Sequence, residues 1–237
     1  MHALVPAAGR GTRLRPLTDE RPKGLVEVAG KPLLTHCFET LLELPVTELV
    51  VVVGYRADQI RDAYGESFRG TPITYVHQPD QRGLGDAVRL ADPAIDGPFV
   101  LLNGDNVVRA NVDEAVARHR NADASATLLV EDVSRAEAKT TGVCVTDDDG
   151  SVVRIVEKPD DPPSTLALTG CQVLSPPIFH ACELIQPSAR DEYELSDALD
   201  LLIRAGHTVE TVRLDGWRCN VNTDADRRFA SRKLKQE

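Results

Sequence analysis

Apolar and polar positions follow two rhythms in this chain, and the change of rhythm marks its organisation. Through the first half, short apolar runs alternate with stretches in which apolar residues recur every three or four positions. The pattern predicts strands at about 2–6, 48–53, 72–77 and 98–102, and helices at about 32–44, 56–64, 84–91 and 112–120. Leu49-Val50-Val51-Val52-Val53 and Phe99-Val100-Leu101-Leu102 are unbroken apolar runs, the pattern of central strands covered on both faces by helices. Such an order implies parallel βαβ units, which collect ligands at the carboxyl ends of their strands. After about residue 122 strand-like text takes over, at 126–131, 142–145 and 152–156, with Asp147-Asp148-Asp149-Gly150 as the turn between the last two. Pro159, Pro162 and Pro163 then impose an irregular loop. Beyond it lie a strand at about 167–174, helices at 176–183 and 195–205, a strand at 208–214 and a terminal helix from about 223. No internal repeat or low-complexity linker interrupts this order. The simplest architecture is one α/β domain, 1–237, built on a mixed sheet.

Charge narrows the partners. The chain carries 37 acidic against 27 basic residues, a formal net charge of −10, with a pI near 5.1. That balance argues against nucleic acid or an anionic membrane, either of which would need a basic face. There is no charged-then-apolar leader and no apolar run near 18 residues, so a cytoplasmic location is expected. Cys37, Cys144, Cys171, Cys182 and Cys219 are scattered and never form a C-x-x-C pair, which fits reduced thiols rather than a disulfide framework or a zinc site. Asp outnumbers Glu and Arg outnumbers Lys, a bias that suits a salt-rich cytoplasm or a GC-rich genome.

The chemistry concentrates in a few loops. Val5-Pro6-Ala7-Ala8-Gly9-Arg10-Gly11-Thr12-Arg13-Leu14 follows a short apolar strand, and its small residues let the backbone turn around an anion with N–H groups pointing inward. Arg13 adds a planar fork for two phosphate oxygens, and Lys23, after Arg21-Pro22, a point charge that can follow a phosphate. Neither the Walker loop nor the dinucleotide fingerprint fits, because Gly-Lys-Ser/Thr is missing and Pro16 and Pro22 keep the chain irregular until about Gly30. The segment reads as a long nucleotide-binding loop for a nucleoside triphosphate. Asp105, just past the apolar run 99–102, is the best ligand for a hard cation such as Mg²⁺; an ordinary Asx turn would look the same. Gln78 could read a nucleobase edge and Gly83 could let the backbone approach it, although alone they are a loop and a helix start. Glu157-Lys158 pairs a carboxylate suited to sugar hydroxyls with an ammonium suited to a phosphate, or forms an exposed ion pair.

The ordered set Gly9-x-Gly11-Thr12-Arg13-Leu14-x-Pro16-Leu17-Thr18, Pro22-Lys23, Gly30-Lys31-Pro32, Gln78 to Ala87, Gly104-Asp105-Asn106, Gly142, Glu157-Lys158-Pro159, Ala167-Leu168-Thr169-Gly170 and Glu194-Leu195-Ser196-Asp197 resembles the sugar-phosphate nucleotidylyltransferases. It is most like the glucose-1-phosphate thymidylyltransferases and uridylyltransferases, and the likeness runs from Leu4 to about Ala230. The resemblance implies a Rossmann-like three-layer α/β domain with a mixed, mainly parallel central sheet. About 1–120 would be its nucleotide-binding half and about 121–237 its sugar-phosphate-binding half. It further implies a Mg²⁺-dependent enzyme that joins dTTP or UTP to glucose 1-phosphate by in-line attack on the α-phosphorus, releasing pyrophosphate. Arg13, Lys23 and Lys158 would be catalytic. Ala7, Ala8, Gly9, Gly11, Thr12, Gln78, Gly83 and Asp105 would bind the nucleotide, and Gly142, Glu157, Thr169 and Gly170 the sugar.

Departures from the family pattern carry information too. Pro6-Ala7-Ala8-Gly9 is closer to uridylyltransferases than the Leu-Ala-Gly-Gly of the thymidylyl type. In Trp217-Arg218-Cys219-Asn220-Val221-Asn222-Thr223, Asn220 stands where many members carry the second metal-binding Asp, so Asp105 and Asn220 are the expected metal ligands. Leu168 replaces the Asn of N-acetylglucosamine enzymes, which favours glucose. The chain ends soon after its last helix, so an acetyltransferase half and the regulatory C-terminal helices of many relatives are expected to be absent. A homo-oligomer is compatible with all of this. The alternative function is a non-catalytic, sugar-nucleotide-binding regulatory paralogue, or the same chemistry with another sugar 1-phosphate or base.

Overall fold

Every residue of Leu49–Val53 is fully buried, as a run without polar side chains must be when both of its faces are covered. In the computed structural model, which describes residues 1–236, this run lies in the strand Glu48–Val53 and is flanked by two parallel neighbours. His2–Pro6 pairs on one side with Leu4 opposite Val50, and Thr71–His77 on the other with Val52 opposite Val76. Glu237, the last residue of the expected domain, lies outside the described residues.

The chain forms two compact units, each assembled from separated segments. The first comprises Met1–Gln81, Leu102–Ala110 and the segment from Gly216 onward, and the second Arg82–Leu101 and Asn111–Asp215. This division differs from the halves 1–120 and 121–237 expected from sequence, because Leu102–Ala110 and the C-terminal segment belong with the N-terminal strands. The cause is a strand pair that the apolar pattern did not reveal. Asn106–Ala110 and Gly216–Asn220 pair antiparallel, with Asn106 opposite Asn220 and Arg109 opposite Trp217. Their polar residues hide the two-residue period that would have marked them as strands.

In the first unit the helix Leu33–Leu41 packs on Asn106–Ala110, and Thr40 Oγ1 donates to Val108 O at 3.0 Å. Leu14, Val28, Leu33, Val107, Val221 and Ala230 form one buried cluster, with Trp217 and Leu234 against it. This cluster ties the end of the Gly-rich loop to the final helix Asp224–Leu234, which begins with a Thr223–Asp226 capping box.

The second unit is mostly antiparallel. Its sheet runs Val152–Glu157, Gly142–Thr146, Leu166–Leu174, Phe99–Leu102, while Ala126–Asp132 pairs antiparallel with Leu166–Leu174 and parallel with Val209–Arg213. The predicted turn is present, since Asp147 Oδ1 accepts from Asp149 N at 3.1 Å and Ser151 N at 2.9 Å. The α/β class and the mixed sheet are therefore as expected, with His2–Pro6, Glu48–Val53 and Thr71–His77 parallel in the first unit and a parallel pair within the second. All five cysteines are buried and unbridged, and burial pushes the thiols of Cys144, Cys171 and Cys182 up to about 12. Among the described residues no helix is long and apolar enough to cross a membrane.

Candidate active site

In the first unit, the Gly-rich loop leaves the strand His2–Pro6 under tight control and is then released. Ala7 N donates to Val52 O at 2.7 Å and Ala8 O accepts from Tyr55 N at 3.1 Å, while Gly9 and Arg10 are exposed. The loop is caught again at a short 3₁₀ turn, Thr12–Leu14, whose Leu14 is buried in the cluster described above. Thr18 Oγ1 fixes the bend by donating to Gly11 O at 2.8 Å. The guanidinium of Arg10 lies 5.4 Å from the Tyr55 ring centroid.

Residues far apart in sequence then converge. Lys23 Nζ donates to Asp105 Oδ2 at 2.7 Å and to Asn222 Oδ1 at 2.8 Å, and the same Asn222 oxygen accepts from an Arg13 terminal nitrogen at 3.0 Å. Lys23 is 12% exposed and Asp105 28%. Asp105 is held from behind, its carbonyl accepting from Val221 N at 2.8 Å. Asn222 was not among the expected site residues. The available signal was its place two residues past Asn220 and directly before the capping box.

Asn220 ends the strand Gly216–Asn220, and its Oδ1 is buried without a hydrogen-bond partner. An amide oxygen left this way is costly unless something accepts its lone pairs. Among the described residues no group of three or more His, Cys, Asp or Glu could hold a metal by itself.

The second unit assembles a different cluster. Glu157 ends the strand Val152–Glu157; its Oε1 lies 3.0 Å from Lys158 Nζ and 3.7 Å from Arg190, and its Oε2 accepts from Ser196 Oγ at 2.8 Å. Arg190 also donates to Glu194 Oε1 at 2.7 Å, and Ser188 Oγ to the same oxygen at 3.1 Å. Asp200 accepts from Ile155 N at 3.0 Å. Burial, and then the charges of Glu194, Glu157 and Asp200, raise the Asp197 carboxyl above its usual range. Lys158 has φ +41°, a left-handed conformation that a side chain adopts at a cost and that recurs at functional sites. Gly142 faces Glu157 across the strand pair, and a β-carbon there would meet Leu168 Cδ1 at 2.9 Å and Glu157 Oε2 at 3.0 Å. Arg190, like Asn222, was missed from sequence, because nothing local distinguishes it from a surface arginine.

Other expected residues have structural duties. The Thr169 hydroxyl donates to Leu129 O at 2.7 Å, beside Gly170 at a register shift in the strand Leu166–Leu174. Gly83 has φ +103°, and a β-carbon on it would lie 2.6 Å from Tyr193 O. Its need for glycine is thus explained by the Tyr193 backbone, which also accepts from Gly85 N at 2.8 Å. Gln78 is buried, with its N–H donating to Val53 O at 2.8 Å.

The family model described as "Nucleotidyl transferase" matches residues 2–219. The UTP–glucose-1-phosphate uridylyltransferase AglF of Haloferax volcanii is 51% identical over 237 residues, covering 100% of this chain and 98% of that protein. A glucose-1-phosphate thymidylyltransferase of Streptomyces antibioticus is 37% identical over 229 residues, 95% of this chain and 64% of that longer protein. A UDP-glucose pyrophosphorylase solved in complex with UDP-glucose has a TM-score of 0.90, covering 99% of this chain and 98% of its own, at 23% identity; this likeness concerns the fold.

Proposed function

Because the chain belongs to the nucleotidyl transferase family, we propose that it joins UTP to glucose 1-phosphate, giving UDP-glucose and pyrophosphate. The observation that carries this reading is the convergence of Arg13 and Lys23 on one Asn222 oxygen beside the Gly-rich loop, with Asp105 paired to Lys23. The uridylyl choice is supported by the full-length similarity to the Haloferax enzyme and by Pro6-Ala7-Ala8-Gly9.

Two polyanions must approach before the sugar phosphate can attack the α-phosphorus, so catalysis is mainly positioning and offsetting of repulsion. Arg13 and Lys23 grip the triphosphate, with the main-chain N–H groups of Ala8, Gly9, Gly11 and Thr12 around it, while the Ala7 N–H is committed to Val52 O and fixes the base of the loop. Asp105 holds Mg²⁺ together with Asn220, whose partnerless buried oxygen suits a hard cation. When bound, the metal supplies charge that neutralises the phosphates. In the second unit Lys158, whose backbone is left-handed, holds the sugar phosphate. Glu157 takes sugar hydroxyls, and Gly142, Thr169 and Gly170 line the sugar, Thr169 through its main chain. The cytoplasm remains the expected location.

Pyrophosphate release by the purified protein, with glucose 1-phosphate and each of four NTPs, tests the proposal. UTP should give the fastest turnover and should require Mg²⁺. Faster release with dTTP would overturn the choice of base, and no release with any NTP would overturn the activity.

A further inference from the structure

Asn222 contributes a neutral oxygen at the point where its neighbours contribute charge. That oxygen receives Arg13 at 3.0 Å and Lys23 at 2.8 Å, so a single acceptor fixes both cations of the Gly-rich side relative to each other. The residue's main chain is separately secured, its N–H donating to Asp226 Oδ2 at 3.1 Å within the cap of the last helix. The side chain is thereby presented from a rigid element although residues 13 and 23 lie in a long loop. Lys23 divides its donors between this amide and the Asp105 carboxylate.

These two bonds differ in kind. An ammonium paired with a carboxylate is neutralised, and it must leave that carboxylate if a polyphosphate and its cation are to take its place. A bond to an amide oxygen leaves the ammonium's charge intact. A carboxylate at position 222 would cancel one of the two positive charges just where a polyanion has to bind, whereas a residue without an acceptor would leave two long side chains to find their geometry unaided.

We propose that Asn222 is a positioning residue: it gathers Arg13 and Lys23 into one polyphosphate grip and retains Lys23 as that ammonium exchanges Asp105 for phosphate. This rests on the reading of the site as a nucleotidyl transferase site and adds to it a residue that acts through two others. The ligand class is a di- or triphosphate chain, for which inorganic pyrophosphate is the simplest probe.

The test compares wild type, Asn222→Ala and Asn222→Ser. Calorimetric titration with inorganic pyrophosphate and Mg²⁺ is expected to show affinity lowered about tenfold in Asn222→Ala, and steady-state kinetics to show the KM for UTP raised by a similar factor. The KM for glucose 1-phosphate should stay within about twofold, since a positioning loss on one substrate does not travel to the other. The melting temperature should be unchanged because the helix cap is untouched. Asn222→Ser, which keeps a short acceptor, should fall between the two, and it replaces Asn222→Ala under the same criteria should that variant not fold. Unchanged pyrophosphate affinity, or equal shifts in both KM values, would overturn the proposal. An inactive wild type would sink the activity proposed above, while the pyrophosphate titration would still decide the role of Asn222.

Discussion

The two units of this protein solve opposite electrostatic problems with similar residues. In the first, Arg13 and Lys23 meet one carboxylate and a neutral amide, so positive charge is in excess and is oriented by a group that does not cancel it. In the second, Lys158 and Arg190 face Glu157, Glu194 and Asp197, so the cations are outnumbered and one carboxyl is driven toward its neutral form. The difference teaches what each cluster can hold. On the proposed reading, excess fixed cation suits a polyphosphate, whereas a carboxylate-rich cluster with tethered cations suits a ligand that is mostly hydroxyls and carries a single phosphate.

Removing the carboxylate of the first cluster should have the largest effect. Asp105→Asn leaves no side-chain carboxylate for a metal there and turns the 2.7 Å charged partner of Lys23 into a neutral amide. Turnover is expected to fall about a hundred- to a thousandfold, the range seen when one hydrogen-bond donor aimed at a transition-state charge is lost. Pyrophosphate release at saturating Mg²⁺ measures it, and retention of most of the rate would show that the metal is held elsewhere.

Lys158→Ala tests the second cluster at a smaller scale. The KM for glucose 1-phosphate should rise about tenfold, equivalent to about 1.4 kcal/mol, with UTP binding nearly unchanged. A mere surface pair with Glu157 would be worth only about 0–1 kcal/mol and would leave catalysis alone. A collapse of UTP affinity with a steady sugar-phosphate KM would assign Lys158 to the triphosphate and erase the contrast between the units.

The smallest expected effect sharpens the contrast through stability. Asp197 lies in the first turn of the helix Leu195–Arg204, where the helix dipole favours a negative charge, yet burial and the surrounding carboxylates outweigh it. Because its folded-state pKa is raised, the folded form binds the proton more tightly. Its contribution is therefore favourable below the unfolded value and is lost as pH rises through the folded one, leaving a penalty at pH 7. Asp197→Asn should raise Tm by about 2 °C at pH 7, with the gain vanishing as pH falls below about 4. A gain that persists in acid would mean that packing, not charge, is responsible.

Local text fixed much of the scaffold and part of the chemistry. The buried runs Leu49–Val53 and Phe99–Leu102, the Asp147 turn and the placement of Asp105 after an apolar strand were all legible, because burial and turn chemistry act on neighbouring residues. Arg13, Lys23 and Lys158 were legible as residue types in an ordered set of motifs. Tertiary structure alone decided the partners of Arg13 and Lys23. Asn222 is 199 residues from Lys23 and 209 from Arg13, Ser196 is 39 from Glu157, and the polar strand Gly216–Asn220 exists by pairing with Asn106–Ala110. No periodicity encodes such contacts, since a polar side chain takes whatever acceptor the packed backbone brings within 3 Å. Even Gly83, readable as a glycine required by something, owed its requirement to the Tyr193 backbone 110 positions away, an obstacle that exists only once the chain has folded.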